Sequence, residues 1–210
     1  MTSLIESPRD TVVLDFETSG MSPAKGARVI EVGAVRLRKG RIVDRFQSLA
    51  NPNIFLDDFI TDLTGITNEM VHSAEPIDEV MEKFSNFIGD DFLVAHNSSF
   101  DQKFLDAELV RIGCHRPLTF GCSLLVSRRV YPQSPNHKLA TLVDYKDLPT
   151  SGTYHRALAD AEMTAYLWLM MEADLKEKYS LSEIPFSILS GLGRISPKKV
   201  DVYLAKHGFS

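Results

Sequence analysis

The amino-acid sequence predicts an α/β protein with a mixed five-stranded sheet, made of an antiparallel hairpin plus parallel strands and flanked by helices. Short apolar, β-branched segments dominate the amino-terminal part, and two of them flank a basic, turn-like tetrapeptide. Further along, short apolar segments alternate with longer ones in which apolar residues recur at helical spacing. The 210 residues suit one main domain at 8–178 with a helical C-terminal extension at 179–210.

Two patterns predict the strands of the hairpin and the strand beside it. Residues 11–16 are short, apolar and β-branched, which is typical of a buried strand. Residues 29–37 alternate apolar and polar side chains through much of their length, which indicates a second strand. Residues 42–50 then pair with this second strand across a turn at 38–41. The hairpin therefore supplies the antiparallel part of the sheet.

The rest of the chain alternates helices with short strands. Helical spacing predicts a helix at Ile77–Ile88, and the apolar Phe92–Ala95 predicts a strand. The next helix, at 99–112, should begin with Ser99 in a capping box with Gln102 and should end at Gly113. The other expected elements are a strand at 118–120, helices at Ser123–Val130, 139–143 and 158–178, an irregular connector at 182–195, and a helix that starts with Ser196-Pro197 and stops at Gly208.

Composition and charge limit the class of protein. With 44% apolar and 24% charged residues, the chain resembles an ordinary soluble globular protein. The net charge of −5 argues against coating duplex DNA by counterion release alone, although bound cations would neutralise a cluster of acidic ligands. Two cysteines without a CxxC motif predict neither a disulfide framework nor a zinc site. Without a signal-like or bilayer-length apolar run, we expect a cytoplasmic protein with no membrane partner.

Two carboxylates, Asp15 and Glu17, mark the end of the first predicted strand. Strand residues two apart point to the same side and lie ~6.6 Å apart along the axis, so both should project at the strand's carboxyl end. Two carboxylates in this arrangement repel each other unless a cation lies between them. The pattern alone is equally consistent with a strand-end pair that points into solvent.

Asp101 and Asp160 add two acids near helix starts. Asp101 follows strand Phe92–Ala95, which should lie beside the first strand, so it would face Asp15 at the sheet edge where open α/β sheets bind ligands. An acid in a first helical turn also complements the helix dipole, which is the alternative for Asp101. His155 precedes Asp160 by five residues and either shares its pocket or is an ordinary surface histidine.

Four carboxylates and one histidine favour a particular chemistry. Oxygen ligands select hard cations, so the expected cofactors are two Mg²⁺ ions, with Mn²⁺ as a substitute. Two such ions ~3.5–4 Å apart can clamp a scissile phosphate, and a nearby histidine can take the proton of the attacking water.

The same residues resemble the three exonuclease motifs of the DEDDh family, over roughly residues 10–172. The matching segments are Asp15-Phe16-Glu17-Thr18, His96-Asn97 with Phe100-Asp101, and His155-Arg156-Ala157 with Asp160. This family includes the proofreading subunit of bacterial replicative DNA polymerase III. The resemblance implies a ribonuclease H-like fold and a two-metal 3′→5′ exonuclease activity.

The resemblance also implies a role for each matching residue. Asp15, Glu17, Asp101 and Asp160 would be the metal ligands, and His155 would be the general base. The implied substrate-contacting residues are Phe16, Thr18, Gly65, Ile66, His96, Asn97, Phe100 and Arg156.

Simpler interpretations exist for some of these positions. Gly65 would serve equally as a helix stop and Phe100 as a core residue, and the neighbouring bases Arg128, Arg129 and Lys138 as solvated charges. The chain departs from the family at Cys122-Ser123, where many members carry Asp-Thr, and this change bears on substrate preference rather than on the metal ligands.

The expected function is 3′→5′ hydrolysis of single-stranded DNA with release of nucleoside 5′-monophosphates. An RNA-directed enzyme of the same fold is one alternative, because contacts to a 2′-hydroxyl are not readable from this sequence. A non-catalytic binding or scaffold module is another, and the presence of all five key residues argues against it. A structural protein would require four coincidental acids. Because family members include polymerase subunits, DNA polymerase subunits and a second copy of the chain are candidate partners.

Overall fold

The computed structural model describes residues 9–116, 120–150 and 155–209, and its strands form one five-stranded sheet in the order β3-β2-β1-β4-β5. The strands are β1 (Thr11–Thr18), β2 (Val29–Arg38), β3 (Arg41–Leu49), β4 (Phe92–Ala95) and β5 (Phe120–Cys122). The β1–β2 and β2–β3 pairs are antiparallel, whereas β1–β4 and β4–β5 are parallel. The predicted mixed sheet is therefore confirmed.

Helices cover both faces of the sheet. They are α1 (Asp58–Thr64), α2 (Asn68–His72), α3 (Ile77–Ile88), α4 (Ser99–Arg111), α5 (Ser123–Val130), α6 (Leu139–Tyr145), α7 (Ala157–Lys178), α8 (Phe186–Gly191) and α9 (Val200–Lys206). Short 3-10 turns occupy Pro23–Lys25, Leu192–Arg194 and Pro197–Lys199. Among the described residues, none of the helices has the length and apolar character that crossing a bilayer requires.

The alternation of β1 divides the core into two layers. Val12, Leu14 and Phe16 pack with residues of α3 and α4 on one face. Val13 packs on the other face with residues of α7 and of the C-terminal segment, residues 179–209. Because residues two apart share a face, Asp15 and Glu17 lie on the same side as Val13. The sheet therefore presents both carboxylates to the layer that contains α7.

Two local predictions for the middle of the chain need correction. The helix after β4 begins at Ser99, so Ser98 is its N-cap, and it makes no side-chain capping bond. The predicted capping box of Ser99 and Gln102 is wrong, because Ser99 already belongs to the helix and the Gln102 amide donates to the backbone oxygen of Ser98 at 2.8 Å. The fifth strand is described at Phe120–Cys122 and ends two residues later than expected, and residues 118–119 of the predicted strand lie outside the described part.

The predicted irregular connector at 182–195 is also wrong, because it contains α8 and a 3-10 turn. Pro185 is the N-cap of α8 rather than part of a loop. A Cβ atom at Gly191 would lie 2.1 Å from the Tyr203 hydroxyl, so this glycine serves close packing between α8 and α9. The Phe186 ring stacks on Phe92 with centroids 4.2 Å apart. The C-terminal segment therefore packs directly on the sheet, and the division at 178/179 stays a prediction.

Candidate active site

Three of the predicted site residues meet between the end of β1 and the start of α7. Glu17, His155 and Asp160 each offer a ligand atom, and these atoms lie within 4.8 Å of one another. His155 has a left-handed backbone with φ of 61°, and its amide donates to Asp160 Oδ2 at 2.8 Å. This hydrogen bond ties the loop before α7 to the first turn of the helix. The structure thus brings these three predicted residues together.

Gly33 allows α7 to begin directly above the acidic strand. It pairs with Asp15 across the β1–β2 ladder, and the first turn of α7 lies against it. A Cβ atom at Gly33 would lie 2.1 Å from both the carbonyl carbon of Ala157 and the amide nitrogen of Leu158. No side chain fits there without moving the backbone of α7. The glycine therefore permits the close approach that brings Asp160 to β1.

Asp101 reaches the site from the first turn of α4. The β1–β4 ladder ends at Val13 and Val94, and beyond it the Phe16 amide donates to Asp101 Oδ1 at 3.3 Å. The carboxylate is only 2% exposed. A buried carboxylate requires compensating partners, and the hydrogen bond from β1 supplies one of them. The contact places Asp101 beside the strand that carries the first two acids.

The electrostatics show that the four acids share one poorly solvated space. Burial, followed by repulsion from Asp101, Asp160 and Glu17, raises the pKa of Asp15 well above its usual range. Burial and then the neighbouring Asp160 raise the pKa of Glu17 to about 8. Burial likewise raises the pKa of Asp101 to about 7 and that of Asp160 above its ordinary value. Hard divalent cations would relieve this repulsion, so the donor set fits such ions.

These shifts predict how the stability of the metal-free protein depends on pH. A carboxyl group whose pKa is higher in the folded state loses its stabilising proton as the pH rises towards that folded value. For Asp101 the window runs from 3.8 to about 7, and for Glu17 from 4.5 to about 8. We therefore expect the thermal midpoint in a chelating buffer to fall between about pH 5 and about pH 8.

Mg²⁺ should reverse this trend, because deprotonated carboxylates are the form that binds cations. Thermal denaturation with and without Mg²⁺ measures both effects, and the ion should raise the midpoint more at about pH 8 than at about pH 5. The Glu17→Gln variant should show a flatter profile in the chelating buffer. A midpoint that stays constant or rises with pH in the metal-free wild type would contradict the assignment.

Glu31 belongs to this site and was missed in the sequence. It is fully buried and pairs with Glu17 across the β1–β2 ladder. Its carboxylate accepts hydrogen bonds from the Arg156 guanidinium at 2.8 Å and from the Ala157 amide at 3.1 Å. The only signal in the sequence is an acid two residues before Gly33 on an apolar strand, and its meaning depends on the register with β1.

Several predicted substrate-contacting residues lie in the core. The Phe16 ring packs edge-on against Phe84, so only its backbone faces the site. Thr18 is buried and donates from its hydroxyl to the oxygen of Gly20 at 2.8 Å. Ile66 is fully buried, whereas the neighbouring Gly65, which ends α1 with φ of 70°, is exposed. Their contacts with substrate stay predictions.

His96 connects three parts of the chain. Its Nε2 lies 3.0 Å from the carbonyl oxygen of His137, and its Nδ1 lies 2.8 Å from Ser123 Oγ. Since a carbonyl accepts, Nε2 carries the proton and Nδ1 accepts from the serine hydroxyl. Burial lowers the pKa of His96 to about 4, so the ring is neutral. This arrangement uses both ring nitrogens within the protein.

Two other residues of the second motif differ in exposure. Asn97 is exposed in a left-handed turn with φ of 66°. Phe100 is half-buried, with its ring 5.0 Å from that of Phe104, so it is at once a packing residue and partly accessible. Substrate contact by either residue stays a prediction.

Comparison with known sequences gives a consistent result. The family model described as Exonuclease (RNase_T) matches residues 12–168. The DNA polymerase III PolC-type protein of Bacillus subtilis is 40% identical over 171 residues, which is 80% of this chain but 12% of that protein. Its counterpart from Caldanaerobacter subterraneus is 37% identical over 194 residues, or 91% and 14% of the two chains. The chain thus spans about an eighth of the length of these relatives.

Solved structures share the fold. Exonuclease X in complex with 5′-overhanging duplex DNA superposes with a TM-score of 0.67 at 23% identity, covering 86% of this chain and 99% of that one. The nuclease domain of 3′hExo, a DEDDh family member bound to rAMP, gives 0.69 at 23% identity, covering 86% and 98%. Escherichia coli exonuclease I with a dA16 oligonucleotide gives 0.70 at 16% identity, covering 79% and 41%.

The fold, the three motifs and the family match agree with one another. The mixed sheet is the ribonuclease H-like sheet of these exonucleases, and the members of this family depend on divalent metal ions. The chain belongs to the exonuclease family and is a 3′→5′ exonuclease of the DEDDh type.

Proposed function

We propose that the chain removes nucleotides from the 3′ end of single-stranded DNA and releases nucleoside 5′-monophosphates by a two-metal mechanism. The observation that carries this proposal is the convergence of Glu17, His155 and Asp160, whose ligand atoms lie within 4.8 Å of one another. The half-buried Asp15 and the buried Asp101 add the remaining negative charge.

The roles of the side chains follow from their positions. Asp15, Glu17, Asp101 and Asp160 would hold the cations. Two divalent ions held by these acids would neutralise the charge that develops at the scissile phosphate. His155 is exposed beside the acids, so it can take the proton of the attacking water. The hydrogen bond from its own amide to Asp160 fixes the backbone that presents the ring.

The names of the relatives favour DNA as the substrate. The PolC-type proteins that match the chain are named as DNA polymerases, and association with polymerase subunits is part of the proposal. One structural neighbour, in contrast, is described as bound to rAMP and another as recognising a histone mRNA stem-loop. RNA is therefore the second candidate substrate. For either substrate, we propose that residues 8–178 form the nuclease domain.

A substrate panel tests the polarity and the substrate class. Single-stranded DNA, duplex DNA, RNA and dinucleotides labelled at the 5′ end would be incubated with Mg²⁺ and with Mn²⁺. We expect single-stranded DNA to shorten stepwise from its 3′ end, with mononucleotides as the product. Faster degradation of RNA than of DNA would transfer the proposal to the RNA-directed alternative, and shortening from the 5′ end would overturn it.

Replacing His155 with alanine tests whether this site performs the hydrolysis. We expect the rate on the preferred substrate to fall by about 10²–10⁴-fold, which is the usual effect of a lost general base. The acids remain, so Mn²⁺ binding measured by calorimetry should weaken far less than the rate. Wild-type activity in this variant would remove His155 from the mechanism.

A further inference from the structure

The environment of Glu31 indicates a function beyond the packing of β2. Its side chain is completely buried, and its cross-strand partner on β1 is another acid, Glu17. Burying a charged carboxylate is unfavourable unless hydrogen bonds and an opposite charge compensate it. Because Glu31 adds a negative charge beside the site acids, other groups must stabilise its carboxylate in this position.

Those partners belong to the start of α7 and to the neighbouring strand. Glu31 Oε1 accepts from Arg156 Nη2 at 2.8 Å and from Gln47 Nε2 at 3.1 Å. Oε2 accepts from Arg156 Nε at 3.2 Å and from the Ala157 amide at 3.1 Å. Two donors on each oxygen satisfy the carboxylate, and three of the four contacts come from residues 156–157.

Glu31 thereby caps α7 from a distant strand. Arg156 occupies the N-cap position and makes no side-chain capping bond of its own. The free amides of a first helical turn need acceptors, and a carboxylate beside them also interacts favourably with the helix dipole. The Ala157 amide finds its acceptor 126 positions away in sequence. The helix start is therefore held by β2 as well as by the hydrogen bond between His155 and Asp160.

This contact acts together with Gly33 on the same face of β2. Gly33 lets the backbone of α7 approach, and Glu31 binds the helix at its first residue. His155 adjoins this anchored residue pair, and Asp160 follows within the first turn. Displacing the helix start would therefore move both groups relative to Glu17.

We propose that Glu31 is a positioning residue for hydrolysis, which acts by anchoring α7 so that His155 and Asp160 face Glu17, and that Arg156 serves as its ion-pair partner. The proposal rests on the assigned roles of His155 and Asp160. It differs from the sequence-based expectation for Arg156, which was direct contact with substrate. The Arg156 guanidinium instead forms an ion pair with Glu31, and the Arg156 side chain is 36% exposed.

Kinetics of Glu31→Gln and Glu31→Ala on the best substrate of the panel test the first half of the proposal. We expect kcat to fall by about 10–100-fold in the alanine variant, since a displacement of about 1 Å can cost 10²-fold, with KM changed less than about threefold. Glutamine keeps an oxygen that accepts from the Ala157 amide, so it should recover part of the lost kcat. Wild-type kcat in both variants would overturn the proposal.

Glu108 provides a matched control. It is 1% exposed, forms an ion pair with Arg28 at 2.8 Å, and lies in the second half of α4, about two turns after Asp101. Glu108→Gln should lower the thermal midpoint as a lost buried ion pair does, while kcat stays within about twofold of wild type. An equal kcat loss in Glu108→Gln and Glu31→Gln would reduce Glu31 to a stability role and overturn the proposal.

A double-mutant cycle tests the partnership of Glu31 and Arg156. If Arg156 acts through Glu31, Arg156→Gln should lower kcat, and adding it to Glu31→Gln should cause less than about threefold further loss. A multiplicative loss, or a rise in KM in both backgrounds, would make Arg156 a substrate contact and overturn that assignment. If Glu31→Ala does not fold, Glu31→Gln and Arg156→Lys supply the same comparison.

A measurement independent of turnover separates this proposal from the proposed function. The imidazole Cε1–Hε1 signal of His155, assigned by its loss in His155→Ala, should shift in Glu31→Gln and stay in place in Glu108→Gln. A shifted signal supports the anchoring role even if the substrate panel redirects the enzyme to RNA. An unchanged signal together with unchanged kcat overturns the anchoring role whatever the substrate is.

Discussion

Replacing Asp15 with asparagine is expected to abolish hydrolysis while making the metal-free protein more stable. Asparagine keeps the shape of the side chain but removes one of the four charges that would hold the cations. Changes to residues that only support metal ligands typically cost 10–100-fold, so loss of a ligand should cost at least about 10²-fold. The effect on stability has the opposite sign, because burial and the neighbouring acids raise the pKa of Asp15. Removing this charge removes repulsion from the folded state.

Nucleotide release and thermal denaturation in a chelating buffer measure the two effects separately. Asp62→Asn is a suitable control, because Asp62 is an exposed acid of α1 and its replacement should change neither property. A loss of activity below about tenfold in Asp15→Asn would exclude a ligand role for this residue. A lower midpoint for the metal-free variant would show that the acids do not repel one another as described.

Replacing Gly33 with alanine is expected to damage both activity and stability. The added Cβ would lie 2.1 Å from two backbone atoms of α7, and a helix backbone cannot move aside as a flexible side chain can. Either α7 shifts away from the sheet or β2 bends. Overpacking of this kind typically destabilises a protein by about 1–3 kcal/mol. A shift of about 1 Å in Asp160 and His155 should also lower the rate by about 10²-fold.

Gly40→Ala is the control that separates the cost of backbone strain from the effect of displacing α7 at the site. Gly40 lies in the β2–β3 turn with φ of 76°, and a Cβ atom added to it would have no atom beyond its chain neighbours within 4 Å. Alanine there should cost about 1–2 kcal/mol through the left-handed backbone alone and leave the rate unchanged. Activity assays beside urea denaturation distinguish the two variants. Wild-type activity in Gly33→Ala would show that the close approach of α7 does not control the site.

The sequence predicted the elements whose patterns are local. The apolar run of β1, the alternation of β2 and the helical spacing of α3 are local patterns, so the sheet and its main helices were predicted closely. The five residues of α2 are too few to show a helical period. The segment around α8 was misread because Pro185 and Gly191 resemble loop residues, whereas one begins a helix and the other makes room for Tyr203.

The same distinction between local and long-range patterns applies to the residues of the candidate site. Each predicted acid stands at the end of a strand or the start of a helix, and such positions are recognisable from local sequence. Glu31 lies within a strand, and its importance arises only from the register that pairs it with Glu17 and from the approach of α7. Arg156 was interpreted by its neighbour in sequence, His155, although its partner lies on another strand. Local sequence patterns carry no information about which distant segments pair, so these two contacts were not predicted.

The packing of the C-terminal segment has a consequence for how the protein unfolds. Leu189, Leu192, Val200 and Leu204 belong to the same buried cluster as Val13 of the central strand and Met171 of α7. The family match ends at residue 168, but the apolar interior continues through these later turns. Cutting the chain after Lys178 would therefore open the interior beneath the central strand to water, and the tail and the nuclease sheet should melt as one cooperative unit.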